Sequence, residues 1–132
     1  MALENLRILQ EEHIVDRVRT KTAPYLAAKW RGLGDHPLVG EASVIGMMGS
    51  LALSPHKASR AKFAASPGTI GYMCREHCFT NNLVMRHVYD RMIISPPLVI
   101  SNDEIDQLIA RATKALDATY AQAKAEGLLT AG

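Results

Sequence analysis

Apolar residues recur at helical spacing from Ala2 to Arg31: Leu3, Leu6 and Leu9, then Ile14, Val15 and Val18, then Leu26 and Trp30. The stripe changes phase between Glu11 and His13, and Pro24 interrupts it again, which predicts a break or kink there. Gly32 and Gly34 supply stop signals before Asp35, His36 and Pro37. Leu38 to Leu53 is different: Val, Ile, Met, Leu and Gly with one charge, Glu41. It reads as two buried strands, or one long bent strand, with Gly46 and Gly49 at bulges or close approaches. Pro55 to Ser66 is polar, basic and alanine-rich, a surface loop. Ser66 and Pro67 then offer a cap and a first-turn proline for a helix reaching about Thr80, which Asn81 and Asn82 can end. Leu83–Val88 and Arg91–Ser95 are β-rich runs joined at Tyr89–Asp90, hence a hairpin. Ser101 with Glu104 forms a capping box, and Ile105, Leu108, Ile109, Ala112, Leu116, Tyr120 and Ala123 follow at three- and four-residue spacing to a stop near Gly127. The sum is an α+β fold: a small, mostly antiparallel sheet with helices against it.

The 132 residues suit one domain, 1–132, with one real core: roughly 6,800 Å² of folded surface against roughly 21,000 Å² unfolded. Hydrophobic residues are 48% and charged ones 21%, which excludes a disordered chain. No apolar run is long enough to span a membrane, and MALENLRILQEE has acids where a signal peptide needs an apolar stretch. Fifteen basic against thirteen acidic side chains leave +2. The bases are scattered and aromatics are 5%, so the pattern of a nucleic-acid binder is absent. Two cysteines are too few for a disulfide framework and fit a reducing cytoplasm.

Most candidate chemistry has a plainer explanation. Cys74, His77 and Cys78 share one side of a predicted helix, but a structural zinc site needs four ligands and His87 is the only further candidate nearby. Two small buried cysteines are the commoner case, and metal is rejected. A Cys–His nucleophile pair would also need an orienting group and an oxyanion site. Glu11–Glu12 and Asp103–Glu104 sit on helix faces or at helix starts, where acids are structural. Gly46-Met47-Met48-Gly49 lacks the Gly-Lys-Ser/Thr of a phosphate loop.

Arg86 stands apart. It lies inside Leu83-Val84-Met85-Arg86-His87-Val88, where alternation puts Leu83, Met85 and His87 on one face and Val84, Arg86 and Val88 on the other. A guanidinium between two valines must reach water, pair with an acid or bind an anion. Its planar fork matches a carboxylate through two parallel hydrogen bonds. Physics alone favours a partner such as Asp90, or edge exposure, over a ligand site by about two to one.

The stretch CREHCFTNNLVMRHVYDRMIISPPL, Cys74 to Leu98, resembles the C-terminal segment of class III aminotransferases, pyridoxal-phosphate enzymes of type I fold, and especially the omega-amino-acid and amine:pyruvate transaminases. ALENLRIL and HPLVGE resemble that family's helix entering the small domain and its first small-domain strand, and SNDEIDQLI its final helix. The resemblance runs from Ala2 to about Leu129. It implies a detached small domain whose partner is a large domain holding pyridoxal 5'-phosphate, the Schiff-base lysine and most phosphate contacts. Neither a catalytic residue nor a bound cofactor is then expected on this chain alone. The parent would be a cytoplasmic homo-oligomer that moves an amino group from a primary amine or omega-amino acid to a keto acid such as pyruvate. Arg86 aligns with the family's mobile arginine, which binds the substrate carboxylate; on that basis it is the substrate-binding residue.

Two positions depart from the family. Ser43-Val44 stands where an Arg-Gly pair is common, and Ala52 where an acid is common. The rival expectation is a stand-alone, non-catalytic α+β binding or assembly module on the same scaffold.

Overall fold

The computed structural model describes all residues, 1–132. Helix α1 (Ala2–Glu11) ends at His13, whose φ of 50° is left-handed, and the phase shift of the stripe falls at this break. Helix α2 (Ile14–Arg17) then runs through a single π turn, Val18–Thr22, into α3 (Ala23–Gly32). Pro24 lacks the N–H that a continuous α-helix would aim at the carbonyl four residues back. The chain does not break there; Ala23 instead donates to the Val18 carbonyl five residues back, and the widened turn absorbs the proline. Residues Leu26 and Trp30 are fully buried, whereas nothing on α1 is buried, and Leu3 and Leu6 face solvent.

The glycine-rich stretch is a hairpin, β1 (Val39–Ile45) and β2 (Met48–Leu53), turning at Gly46. Helix α4 (Thr69–Thr80) follows, then β3 (Arg86–Val88), β4 (Arg91–Ile94) and α5 (Asn102–Ala125). The sheet is fully antiparallel with order β1-β2-β4-β3, so β1 and β3 are its edges. Its inner face carries Leu51, Leu53, Met92 and Ile94, which join Leu26, Trp30, Ile70, Cys74, Ile105 and Leu116 in one core. Gly49 lies on that face because a Cβ there would come within 2.7 Å of the Trp30 ring, whose indole N–H donates to the Ser50 carbonyl at 3.2 Å.

Polar clasps tie the helices together. Asp106 on α5 accepts from the Tyr25 hydroxyl at 2.9 Å and pairs with Lys29 at 3.2 Å. The capping box of α5 is complete: Ser101 N–H donates to Glu104 at 2.8 Å and Glu104 N–H to the Ser101 hydroxyl at 3.2 Å.

Three expectations need correcting. The start of α4 is capped by no side chain of its own; Gly68, with φ of 90°, holds the N-cap position and the Ser66 carbonyl accepts from Thr69 instead. The Pro55–Ser66 loop is not wholly superficial, since Phe63 is buried and bridges to Ala131. Leu83–Met85 lies outside the strand, although Met85 is buried and Val84 exposed as alternation requires. The accessible surface is 7932 Å², about 1,100 Å² above the scaling value for a compact monomer of this mass. No helix is long and apolar enough to cross a membrane.

Candidate functional site: the open face of the sheet

Strand alternation decides what the uncovered face presents. Pairing places Glu41 opposite Ala52, Ser43 opposite Ser50, Val88 opposite Arg91 and Arg86 opposite Ile93. These positions form a mixed face of short hydroxyls, aliphatic patches and charge. Ser43 donates to Glu41 at 2.8 Å, and Arg60 reaches the same carboxylate at 3.3 Å. The Ser43 hydroxyl bond, then the Arg60 and Arg91 charges, hold the Glu41 carboxyl below its ordinary range. Arg91 donates to the Ser50 hydroxyl at 2.6 Å. A groove of about 670 Å³ runs along this face, bordered by Ala52, Arg60, Lys62, Val88, Asp90 and Arg91.

Arg86 lies on the edge strand β3, exposed, between exposed Val84 and Val88. Its guanidinium has no ion pair and no side-chain hydrogen bond. Of the two plain readings, edge exposure describes it and the Asp90 pair does not. An edge arginine also discourages pairing with a stray strand. Arg86 is diagonal to Arg91 across the ladder, so two guanidiniums project from one face, and Arg60 and Lys62 line the groove with Arg91. Glu41 is the acid among them, and it is already engaged. The free valence of this face is positive, and its unpaired fork is Arg86.

Asp90 is committed elsewhere. Its carboxylate accepts from Gly68 N–H at 3.1 Å and from Gly71 N–H at 2.9 Å, and thereby caps α4 from the β3–β4 turn. One carboxylate thus does both jobs of a capping box and sits at the positive end of the helix dipole. This role was missed at the level of sequence. The signal available was Gly68 and Gly71 at the start of a helix lacking a capping side chain.

The residues weighed for metal or thiol chemistry are dispersed. Cys74 and Cys78 are buried free thiols against α5. The neighbouring Cys74 and burial push the Cys78 thiol far above its ordinary range, so it is a poor nucleophile. His77 bonds Gln122 at 2.7 Å, while His87 meets the edge of the Tyr72 ring. The six lysines lie on helical segments and in the Pro55–Ser66 loop. The N-terminus of α4, beside the groove, already gives its Gly68 and Gly71 N–H groups to Asp90.

Comparison with known proteins supplies the context. No family model matches the chain. It is 54% identical over 121 residues, 92% of its length, to the putrescine–pyruvate aminotransferase of Pseudomonas aeruginosa. It is 28% identical over 132 residues to the diaminobutyrate–2-oxoglutarate transaminase of Halomonas elongata. Among solved structures, the omega transaminase of Pseudomonas jessenii in complex with PMP superposes with a TM-score of 0.84 at 30% identity, covering 92% of this chain. An engineered thermostable omega transaminase gives 0.85 at 30% identity. The chain spans about a quarter of the length of these proteins: 26% of the Pseudomonas aeruginosa enzyme and 26% of the omega transaminase chains. The chain is a homologue of the aminotransferases and carries the fold of their C-terminal domain.

Proposed function

We propose that residues 1–132 are one domain, the small C-terminal domain of a class III, pyridoxal-phosphate-dependent transaminase, and that Arg86 binds the carboxylate of its keto-acid or amino-acid substrate. The parent enzyme would take an amino group from a primary amine or omega-amino acid and give it to a keto acid such as pyruvate. The cofactor supplies the electron sink and the amino-group carrier; this chain supplies recognition. The observation that carries the reading is the unpaired guanidinium of Arg86 on an exposed edge strand, on a face whose acid, Glu41, is already held by Ser43 and Arg60. An exposed, flexible arginine can close on a carboxylate through two parallel bonds and withdraw its head to water when the substrate carries an apolar group instead.

The open face and α1 support the domain assignment. Leu3, Leu6, Ile45, Met48 and Val84 are exposed apolar groups, and the surface exceeds that of a compact monomer. A large cofactor-binding domain would cover part of this area, and a second copy of the whole enzyme more of it. The two reduced thiols accord with a cytoplasmic setting.

The test is Arg86→Ala in the full-length transaminase that carries this segment, with the two half-reactions measured separately. The keto-acid half-reaction should lose roughly ten- to a hundredfold in kcat/KM, the worth of a charge-assisted bidentate pair. The half-reaction of an amine without a carboxylate should change by less than about threefold. Equal loss in both would remove Arg86 from recognition.

A further inference from the structure

The strand that carries Arg86 is short and borders open solvent on one side. It is three residues long, lies at the edge of the sheet and pairs only with β4. Met85 before Arg86 is buried and His87 after it meets the Tyr72 ring on α4. The strand's height over the open face is set by these contacts together with the Tyr89–Asp90 turn that follows. Tyr89 adopts a left-handed φ of 51°. The Asp90 carboxylate is fixed by Gly68 and Gly71, and its carbonyl accepts from Leu53 N–H at 2.9 Å. The turn also lies flat on α4: a Cβ at Gly71 would come within 1.9 Å of the Tyr89 oxygen. Asp90 thus joins three elements at one residue, α4 through its side chain, β2 through its carbonyl and the Arg86 strand through the turn.

We infer that Asp90 is a positioning residue for substrate recognition, setting where the Arg86 guanidinium can reach a carboxylate. This rests on the proposed role of Arg86. Arg86 precedes Tyr89 by three residues, about 10 Å of strand. A tilt of about 6° at the turn would move its Cα by about 1 Å, enough to stretch a bidentate pair beyond hydrogen-bond distance and so weaken binding of the carboxylate. Loss of the carboxylate frees the turn from α4, while the ladder to β4 remains. Arg86 is then present but set at the wrong height.

The experiment compares Asp90→Ala, Asp90→Asn, Arg86→Ala and the Asp90→Ala/Arg86→Ala double variant in the full-length enzyme carrying this segment, in both half-reactions. Asp90→Ala should raise the KM for the keto acid roughly tenfold while kcat stays within about threefold, and should spare an amine that has no carboxylate. Asp90→Asn keeps one acceptor oxygen and should show a smaller shift of the same selectivity. The double variant should be no worse toward the keto acid than Arg86→Ala alone, because both changes remove one contact. A selective Arg86→Ala beside an unselective or silent Asp90→Ala overturns this inference alone. An unselective Arg86→Ala overturns the underlying reading and this one with it. If Asp90→Ala does not fold, a folded Asp90→Asn with equal loss in both half-reactions gives the negative answer.

Discussion

Gly71→Ala should destabilise the chain by an amount the geometry sets. A methyl group there would meet the Tyr89 oxygen at 1.9 Å, with the Tyr89 carbonyl carbon at 3.0 Å and the Asp90 Cα at 3.2 Å. All three are backbone atoms, so no side chain can swing away. Reaching ordinary contact requires the turn to retreat by about 1.5 Å. The Asp90 bonds to Gly71 and Gly68, at 2.9 and 3.1 Å, would then be lost. Losing a helix cap costs about 1 kcal/mol and forcing atoms into a packed site about 1–3 kcal/mol. Alanine returns about 1 kcal/mol of helix propensity. The net is about 1–3 kcal/mol, or about 4–11 °C in melting temperature for a chain of this length. Gly32→Ala is the control: Gly32 has helical angles, φ −60° and ψ −27°, and no atom within 4 Å of a built Cβ. It should hold or raise the melting temperature. Circular dichroism melts of both variants decide the matter, and equal shifts would refute the reasoning.

Further outcomes follow from the other charged and thiol groups. The Ser101 N–H and hydroxyl lower the Glu104 pKa from its ordinary 4.5, so its contribution is present above that value and lost as pH falls through the lowered one. Glu104→Gln should flatten the acid dependence of the chain's melting temperature over that window, and an unchanged profile would count against the capping box as its source. Cys74 and Cys78, both fully buried, should resist iodoacetamide at pH 8 in the native chain and react promptly in denaturant. Labelling of the native chain at the rate of a free thiol would show that α4 and α5 open there.

The parts of the fold legible in the sequence are those where local chemistry decides. Ser101 with Glu104 and the stripe behind it determine α5 because cap, propensity and apolar face agree. Leu38–Leu53 was legible as two strands or one bent strand from its apolar run and glycines, and the turn at Gly46 makes it a hairpin. The burial alternation around Arg86 follows from period two. What was illegible depended on distant partners. The cap of α4 comes from Asp90, twenty-two residues past Gly68, and a nearby Ser66 offered a false local answer. Pro24 predicted a break or kink, and the helix leaves α geometry just before it, in the π turn Val18–Thr22. Leu3, Leu6 and Leu9 looked like a core stripe, but α1 buries nothing. Its apolar face would have a partner in the longer protein proposed above. Arg86 was singled out as an arginine in an apolar strand; that Asp90 would not pair with it was visible only once α4 was placed.

The most direct test replaces the corresponding quarter of the Pseudomonas aeruginosa putrescine–pyruvate aminotransferase with residues 1–132 of this chain. At 54% identity most contacts with the rest of that enzyme should survive the exchange. A functional transaminase domain should yield a folded chimera with the absorbance of bound cofactor and transfer from putrescine to pyruvate, with Arg86→Ala lowering the pyruvate half-reaction roughly ten- to a hundredfold in kcat/KM. A chimera that folds and holds the cofactor but transfers no amino group would contradict the assignment.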